Sequence, residues 1–349
     1  MKLRPFSLFV MLIAISAGST FAGETLVISE RRVPIPASVS LEFQASLGDF
    51  AAPDKSARLT HPATTDEWLQ MQIERNQARA AGIPAMALAL GVQIKRSKLE
   101  GVGVAELTPA VVTEANKNRL FVHLHGGAYV FGAGDAGLVE GLFIANRLNI
   151  AVLSIDYRMP PEHPFPAAVN DVVSVYRALL KNYAPQSLII GGTSAGGGLA
   201  FASVLQLGEL GLQMPAAVFG GTPWVDLTKT GDTFFINEGV DRILVTYDGV
   251  LGASAKLYAG EHDLKNPLVS PVYGDFREFP STFLVTGTRD LLLSDVARIH
   301  RKLTSNDIEA DLHVYEGMSH ADYLVVINSP ESLEMFSALG KFVDQHLKK

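Results

Sequence analysis

Apolar positions along the chain fall into two alternating textures. Short runs rich in β-branched and aromatic residues recur between segments whose apolar residues repeat every three or four positions. Arg119–Leu124, Ile150–Ile155, Ser187–Gly191, Ala216–Phe219, Thr282–Val285 and Asp311–Tyr315 read as strands, preceded by a pair at Ala89–Ile94 and Val102–Leu107. Leu138–Leu148, Ala167–Leu180, Gly197–Leu210, Ser294–Leu303 and Pro330–His346 read as helices. Strands separated by helices of this length predict right-handed βαβ units: an α/β fold with a mostly parallel central sheet flanked by helices.

Two stretches break the alternation. The N-terminal segment to about Leu90 holds one helical pattern, Thr65–Ala80, with Trp68 and Met71 among charged residues. Thr64 or Thr65 can cap it, and Gly82 followed by Pro84 ends it. The second stretch is Thr228–Lys265. Ligands of such sheets bind beyond the carboxyl ends of the strands. Both stretches are therefore expected to cover that end, 23–90 as an N-terminal helical cap and 228–265 as a second cap segment, on a catalytic domain spanning 91–349. The alternative is a pair of surface loops.

At the N-terminus, Lys2 and Arg4 precede an apolar run from Phe6 to Ala17, followed by small residues ending at Ala22. This is the pattern of a signal peptide over 1–22, cleaved after Ala22, and it predicts a secreted or periplasmic protein. A dozen apolar residues are too few to cross about 30 Å of hydrocarbon, so no stable membrane span is expected after cleavage. The formal charge of −7 offers no basic field for nucleic acid. The chain has no cysteine, which excludes disulfides, a thiol nucleophile and thiolate metal sites.

The chemistry concentrates in three places. Gly191-Gly192-Thr193-Ser194-Ala195-Gly196 joins a strand to a helix and contains G-x-S-x-G, with Ser194 as candidate nucleophile. A tight strand-to-helix elbow brings backbone very close, so small flanking residues are needed. The glycines also invite a phosphate-loop reading, but no Lys-Ser/Thr follows them. His125-Gly126-Gly127-Ala128-Tyr129 follows another strand, and its glycines let backbone approach a substrate. Gly126 and Gly127, with Ala195 after the nucleophile, are the candidate oxyanion donors; a plain structural turn is the other reading.

With such an elbow the partners follow in the order Ser, then Asp or Glu, then His. Asp290 lies just beyond the strand Thr282–Val285, whereas its rival Asp295 falls near a helix start, where capping explains it. Among the downstream histidines, His300 and His346 fall within helices and His313 within a strand. His320 sits in a loop directly after the last strand, which makes it the candidate base.

Together these residues resemble the hormone-sensitive lipase family of bacterial esterases, from about Phe121 to Tyr323. The resemblance rests on the His125-Gly126-Gly127 loop, the stretch from Asp156 to Ala167, the Ser194 elbow and Pro223-Trp224-Val225-Asp226. Gly287-Thr288-Arg289-Asp290 and Gly317-Met318-Ser319-His320 complete it. It implies an α/β-hydrolase fold with an N-terminal cap, a small-molecule ester substrate, and neither metal nor cofactor. It further implies a Ser194-Asp290-His320 triad acting on short- to medium-chain acyl esters, in an apolar pocket lined by residues such as Trp68 and Phe234–Ile236. Thr193 stands where many relatives carry Asp, and Ala128 where a third Gly is common. Met159-Pro160 also departs from the family pattern. Asp156, Tyr157 and Arg158 are expected to brace the oxyanion loop. A lactone hydrolase, an acetyl-ester deacetylase or a non-catalytic ligand receptor on the same fold remain open, as does the oligomeric state, a homodimer included.

Overall fold

Eight strands form one sheet, and their side chains divide between its two faces with the period of two that a pleat imposes. A computed structural model describes residues 32–49 and 54–348. The leader expected at 1–22 lies outside the described residues.

The strands are β1 (Val92–Leu99), β2 (Val102–Pro109), β3 (Leu120–Leu124), β4 (Ala151–Asp156), β5 (Leu188–Thr193), β6 (Ala217–Gly221), β7 (Ser281–Gly287) and β8 (Ala310–Tyr315). Their spatial order is β1-β2-β4-β3-β5-β6-β7-β8. β2 pairs antiparallel with β1 and β4, and every other pairing is parallel. The expected mostly parallel sheet is thus present, with an antiparallel hairpin at one edge.

Of the helices, α1 (Leu41–Gly48), α2 (Lys55–Leu59), α3 (Thr65–Ala80) and α4 (Ile83–Leu90) precede the sheet. α5 (Val139–Leu148), α6 (Ala167–Leu179) and α7 (Ala195–Glu209) connect its parallel strands. The short α8 (Thr233–Ile236) and α9 (Val250–Ala259) lie between β6 and β7, α10 (Leu293–Thr304) crosses to β8, and α11 (Asp322–Val325) and α12 (Pro330–His346) close the chain. Leu188 and Ile190 pack with α6 and α7, while Ile189 between them packs with α5 and α12. β3 repeats the pattern, with Val122 and Leu124 on the first face and Phe121 on the second. Covered on both faces, the central strands read as continuous apolar runs. From Ile35 onward the chain forms one compact unit, and no helix among the described residues is long and apolar enough to cross a membrane.

α3 matches its expected bounds, and its start has a capping box. The Thr64 side chain accepts from Glu67 N, and the Glu67 carboxylate accepts from Thr64 N. The strand expected at Ala89–Ile94 begins instead at Val92, because Ile83–Leu90 is a helix. Pro84 fits its first turn, where no amide is needed, and Gly91 ends it with φ 63°, a left-handed stop that glycine adopts without strain.

Candidate active site

Ser194 occupies the turn between β5 and α7 with φ 62° and ψ −125°, a conformation costly for a residue with a side chain. The neighbouring strand holds it there: Ser194 N donates to the Gly221 carbonyl (2.8 Å), and Trp224 N donates to the Ser194 carbonyl (3.0 Å). A Cβ at Gly192 or Gly196 would run into the Leu124 carbonyl oxygen, so the elbow's glycines are demanded by the close approach of β3.

The loop expected to supply the oxyanion donors leaves β3 beside this elbow. A Cβ built on Gly126 would stand 3.3 Å from the Ser194 Cβ. Among the described residues, the N–H groups of Gly126, Gly127 and Ala195 have no backbone acceptor within the chain. Burial pushes the His125 imidazole down to about 4. The neutral ring stacks on Tyr157 at 4.2 Å, and its Nδ1–H donates to the Gly126 carbonyl (2.9 Å). Tyr157 OH donates to the His125 carbonyl (2.7 Å), and the Asp156 carboxylate accepts from Gly134 N (2.8 Å). Two of the three expected braces therefore touch this loop. Arg158 does not: its guanidinium pairs with Asp171 of α6.

β7 and β8 end side by side and deliver the other two residues. Asp290, fully buried, accepts from Thr286 Oγ1 (2.8 Å) and Leu292 N (2.9 Å). His320 Nδ1 lies 3.1 Å from Asp290 Oδ1, and because a carboxylate only accepts, Nδ1 carries the proton and Nε2 is left as the ring's acceptor. Burial pulls the His320 imidazole down, but Asp290, Asp241 and Asp322 outweigh it and hold the group above its ordinary value. His300, His313 and His346 face other partners: the Ala310 carbonyl, the Phe283 ring and the Phe342 ring. Asp295 is not the helix cap expected; it sits inside the first turn of α10 and accepts from Asp226 N (3.1 Å).

Thr193, the departure at the elbow, has a partner that accounts for it. Its N–H donates to Glu140 Oε2 (3.0 Å), and its hydroxyl donates to Glu140 Oε1 and meets Tyr323 OH. The same carboxylate lies 3.1 Å from His123 Nε2, and all of these groups are buried. An Asp at 193 would set a second carboxylate against Glu140 where neither can be hydrated. Thr193→Asp is expected to lower unfolding free energy by about 2–5 kcal/mol, and adding Glu140→Gln to restore most of it. Chemical denaturation of the three variants checks this; a Thr193→Asp protein as stable as wild type would refute it.

Three further charged residues escaped the sequence reading. Asp241 accepts from Leu291 N (2.8 Å), beside the acid, and from Ile243 N (2.8 Å). Burial and then the adjacent Asp290 raise its carboxyl, and the His320 charge opposes them. Arg242 pairs with Asp322 (2.8 Å), donates from its backbone to Ser319 Oγ (3.2 Å) and reaches the Ser46 carbonyl of α1 (2.7 Å). Asp322 in turn accepts from Ser319 N (2.8 Å), next to His320. The Asp241-Arg242 dipeptide thus clips the Asp290 loop, the His320 loop and α1 together. Only their distant partners distinguish these residues from ordinary surface charges.

Ser194, His320, Gly126 and Gly127 face one cavity of about 1110 Å³. α3 and the segment from Ile243 to Leu251 form its walls, with Met71, Phe131, Leu244 and Leu251 among the apolar lining. The lining residues expected from the sequence are displaced. Trp68 is buried behind Phe131, Phe234 is buried against Tyr247, and Phe235 and Ile236 point to solvent.

A family profile described as alpha/beta hydrolase fold matches residues 121–324. The chain is 30% identical over 254 residues to an esterase of Acinetobacter venetianus, covering 72% of this chain and 82% of that one. It is 30% identical over 244 residues to an acetyl-hydrolase of Streptomyces hygroscopicus, covering 69% and 81%. Among solved structures, esterase E25 superposes with a TM-score of 0.91 at 43% identity, over 93% of this chain and 99% of that one. An esterase from the bacterial hormone-sensitive lipase family superposes with a TM-score of 0.68 at 29% identity, over 82% and 100%. With that fold, that match and these neighbours, the chain belongs to the α/β-hydrolase fold family and is a carboxylesterase of its bacterial hormone-sensitive lipase group.

Proposed function

We propose that the chain hydrolyses short- to medium-chain acyl esters through a Ser194-His320-Asp290 triad and an acyl-enzyme. The observation that carries this reading is the shared cavity: it is lined by a strained serine, an aspartate-bound histidine, and Gly126 and Gly127, whose amides lack a backbone acceptor among the described residues. His320 takes the Ser194 proton as Oγ attacks the ester carbonyl. The oxyanion forms against the N–H groups of Gly126, Gly127 and Ala195, which need not reorganise to receive it. The alcohol leaves with the proton from His320, and water activated by the same imidazole then releases the acid.

The segments expected as a cap, 23–90 and 228–265, serve as one in this reading, and the apolar side chains Met71, Leu244 and Leu251 favour a modest acyl chain over a long one. The 1–22 pattern supports export. The acetyl-hydrolase relative favours an acetyl-ester deacetylase as the second reading, which the same triad serves.

Hydrolysis of p-nitrophenyl butyrate and p-nitrophenyl palmitate by the mature protein tests this. The butyrate ester is expected to have the higher kcat/KM. The base must be neutral, and the pKa of His320 is raised, so activity should fall as pH drops through an acid limb lying above the ordinary histidine range. A folded protein that turns over neither ester would overturn the reading; preference for palmitate would overturn the chain-length part alone.

A further inference from the structure

The cavity mouth carries a charge pattern that the hydrolysis of neutral esters does not use. Arg58, from α2, and Arg75 and Arg79, one turn apart on α3, all line the cavity that holds Ser194. The arginine ion pairs among the described residues lie elsewhere, at Arg96, Arg119, Arg158, Arg242, Arg277 and Arg298. Three guanidinium groups therefore line one opening, and among the described residues none of the three is in an ion pair, in a protein whose net charge is −7.

α3, which carries Arg75 and Arg79, is held in place by side-chain contacts. Gln72 Nε2 donates to the Val130 and Pro160 carbonyls (2.7 Å each), and the Asn76 side chain accepts from Gly132 N (2.9 Å). These two residues, also one turn apart, pin α3 to the segment that continues the oxyanion loop. Arg75 and Arg79 flank the pinned positions and so are held in register with the oxyanion donors. The Arg75 guanidinium stands 4.5 Å from the centroid of the Phe131 ring, which orients it over the cavity wall. Burial, and then the charges of Arg58 and Arg79, hold Arg75 below its ordinary pKa.

Three carboxylates also line the cavity, and each has other partners. Glu67 turns back to the Ala63 and Thr64 amides as the cap of α3. Glu74 accepts from the Gln70 side chain (2.7 Å). Glu140 lies beneath the elbow with Thr193 and His123.

Given the esterase reading above, on which this rests, we propose that the preferred substrates are esters bearing an anionic group, such as a carboxylate, phosphate or sulfate, which Arg58, Arg75 and Arg79 hold at the cavity mouth. Guanidinium forks suit such oxygens, and an anion arriving there relieves the repulsion on Arg75.

Two matched pairs of esters test this in the full mature protein. The first puts the charge on the acyl side: mono-p-nitrophenyl glutarate against p-nitrophenyl valerate. The second puts it on the leaving side: 4-acetoxybenzoate against 4-acetoxybenzamide. The readout is the ratio of kcat/KM, charged over neutral, at low ionic strength. A ratio of about ten or more is expected in at least one pair, and that pair identifies the side on which the charge sits. It should fall toward one in the Arg75→Gln, Arg79→Gln double variant and in about 0.5 M salt, which screens exposed charges. The Arg75→Lys, Arg79→Lys double variant, which keeps the charges, should retain part of it. Turnover of the neutral esters with ratios at or below one in both pairs overturns the inference and leaves the esterase reading standing. A preference that survives the Gln double variant also overturns it. No turnover of any of the four esters overturns both.

Discussion

Ser194→Ala is expected to lower kcat for p-nitrophenyl butyrate by between about ten-thousand-fold and a million-fold. The hydroxyl is the one group at the elbow able to form an acyl-enzyme, and nothing beside it can replace it, since Thr193 turns its own hydroxyl to Glu140 and Tyr323. The residual rate would come from the oxyanion donors and from binding, both of which the variant keeps. Because alanine must adopt the same φ of 62°, the thermal midpoint should move little, and a melting curve beside the kinetics separates lost chemistry from lost fold. A variant that keeps activity in the per cent range would mean that another residue attacks the ester.

Asp290→Asn is expected to cost about ten-thousand-fold in kcat. The amide can donate where the carboxylate accepts, so it favours the imidazole tautomer with the proton on the wrong nitrogen, and it removes the charge that stabilises the imidazolium. Asp241 makes this more than a formality, since a second buried carboxylate acts on His320. The hydrogen bonds separate the two. Asp290 meets Nδ1 directly, whereas Asp241 spends both oxygens on the amides of Leu291, Ile243 and Leu244. Asp241→Asn should therefore cost less than about a hundredfold and shift the acid limb of the pH profile downward, as one of the charges holding His320 up is lost. Equal losses in the two variants would mean that the acid is shared or misassigned.

What the sequence made legible was local. The parallel strands announce themselves as apolar runs because both their faces are covered, and Ser194 stands in a glycine pattern that close backbone contact requires. His320 and Asp290 could be singled out because each follows a strand at the same end of the sheet. The strand expected at Ala89–Ile94 took in the last two residues of the helix Ile83–Leu90, since so short an apolar stretch suits a strand as well as a helix. Gly91 was the available signal, a left-handed stop in the middle of the expected strand. Asp241, Arg242 and Glu140 were illegible for a different reason: each is a charge in an unpatterned context with a partner at the site that lies 50 or more positions away. The cavity lining was misjudged because residue type does not reveal which side of a cap a ring faces. Trp68 and Phe234 serve the packing beneath it.

The Asp241-Arg242 clip also sets an order of events during synthesis. Arg242 reaches back 196 positions to Ser46 and forward 80 to Asp322. A growing chain therefore presents its serine elbow well before the residues that seat a base beside it. Until β8 and the loop after it emerge, α1 lacks the anchor that Arg242 shares with Asp322, and His320 does not yet exist. In the triad reading, an unfinished polypeptide of this sequence lacks its base, and the full rate toward esters is expected only once the last strand and the loop after it are in place.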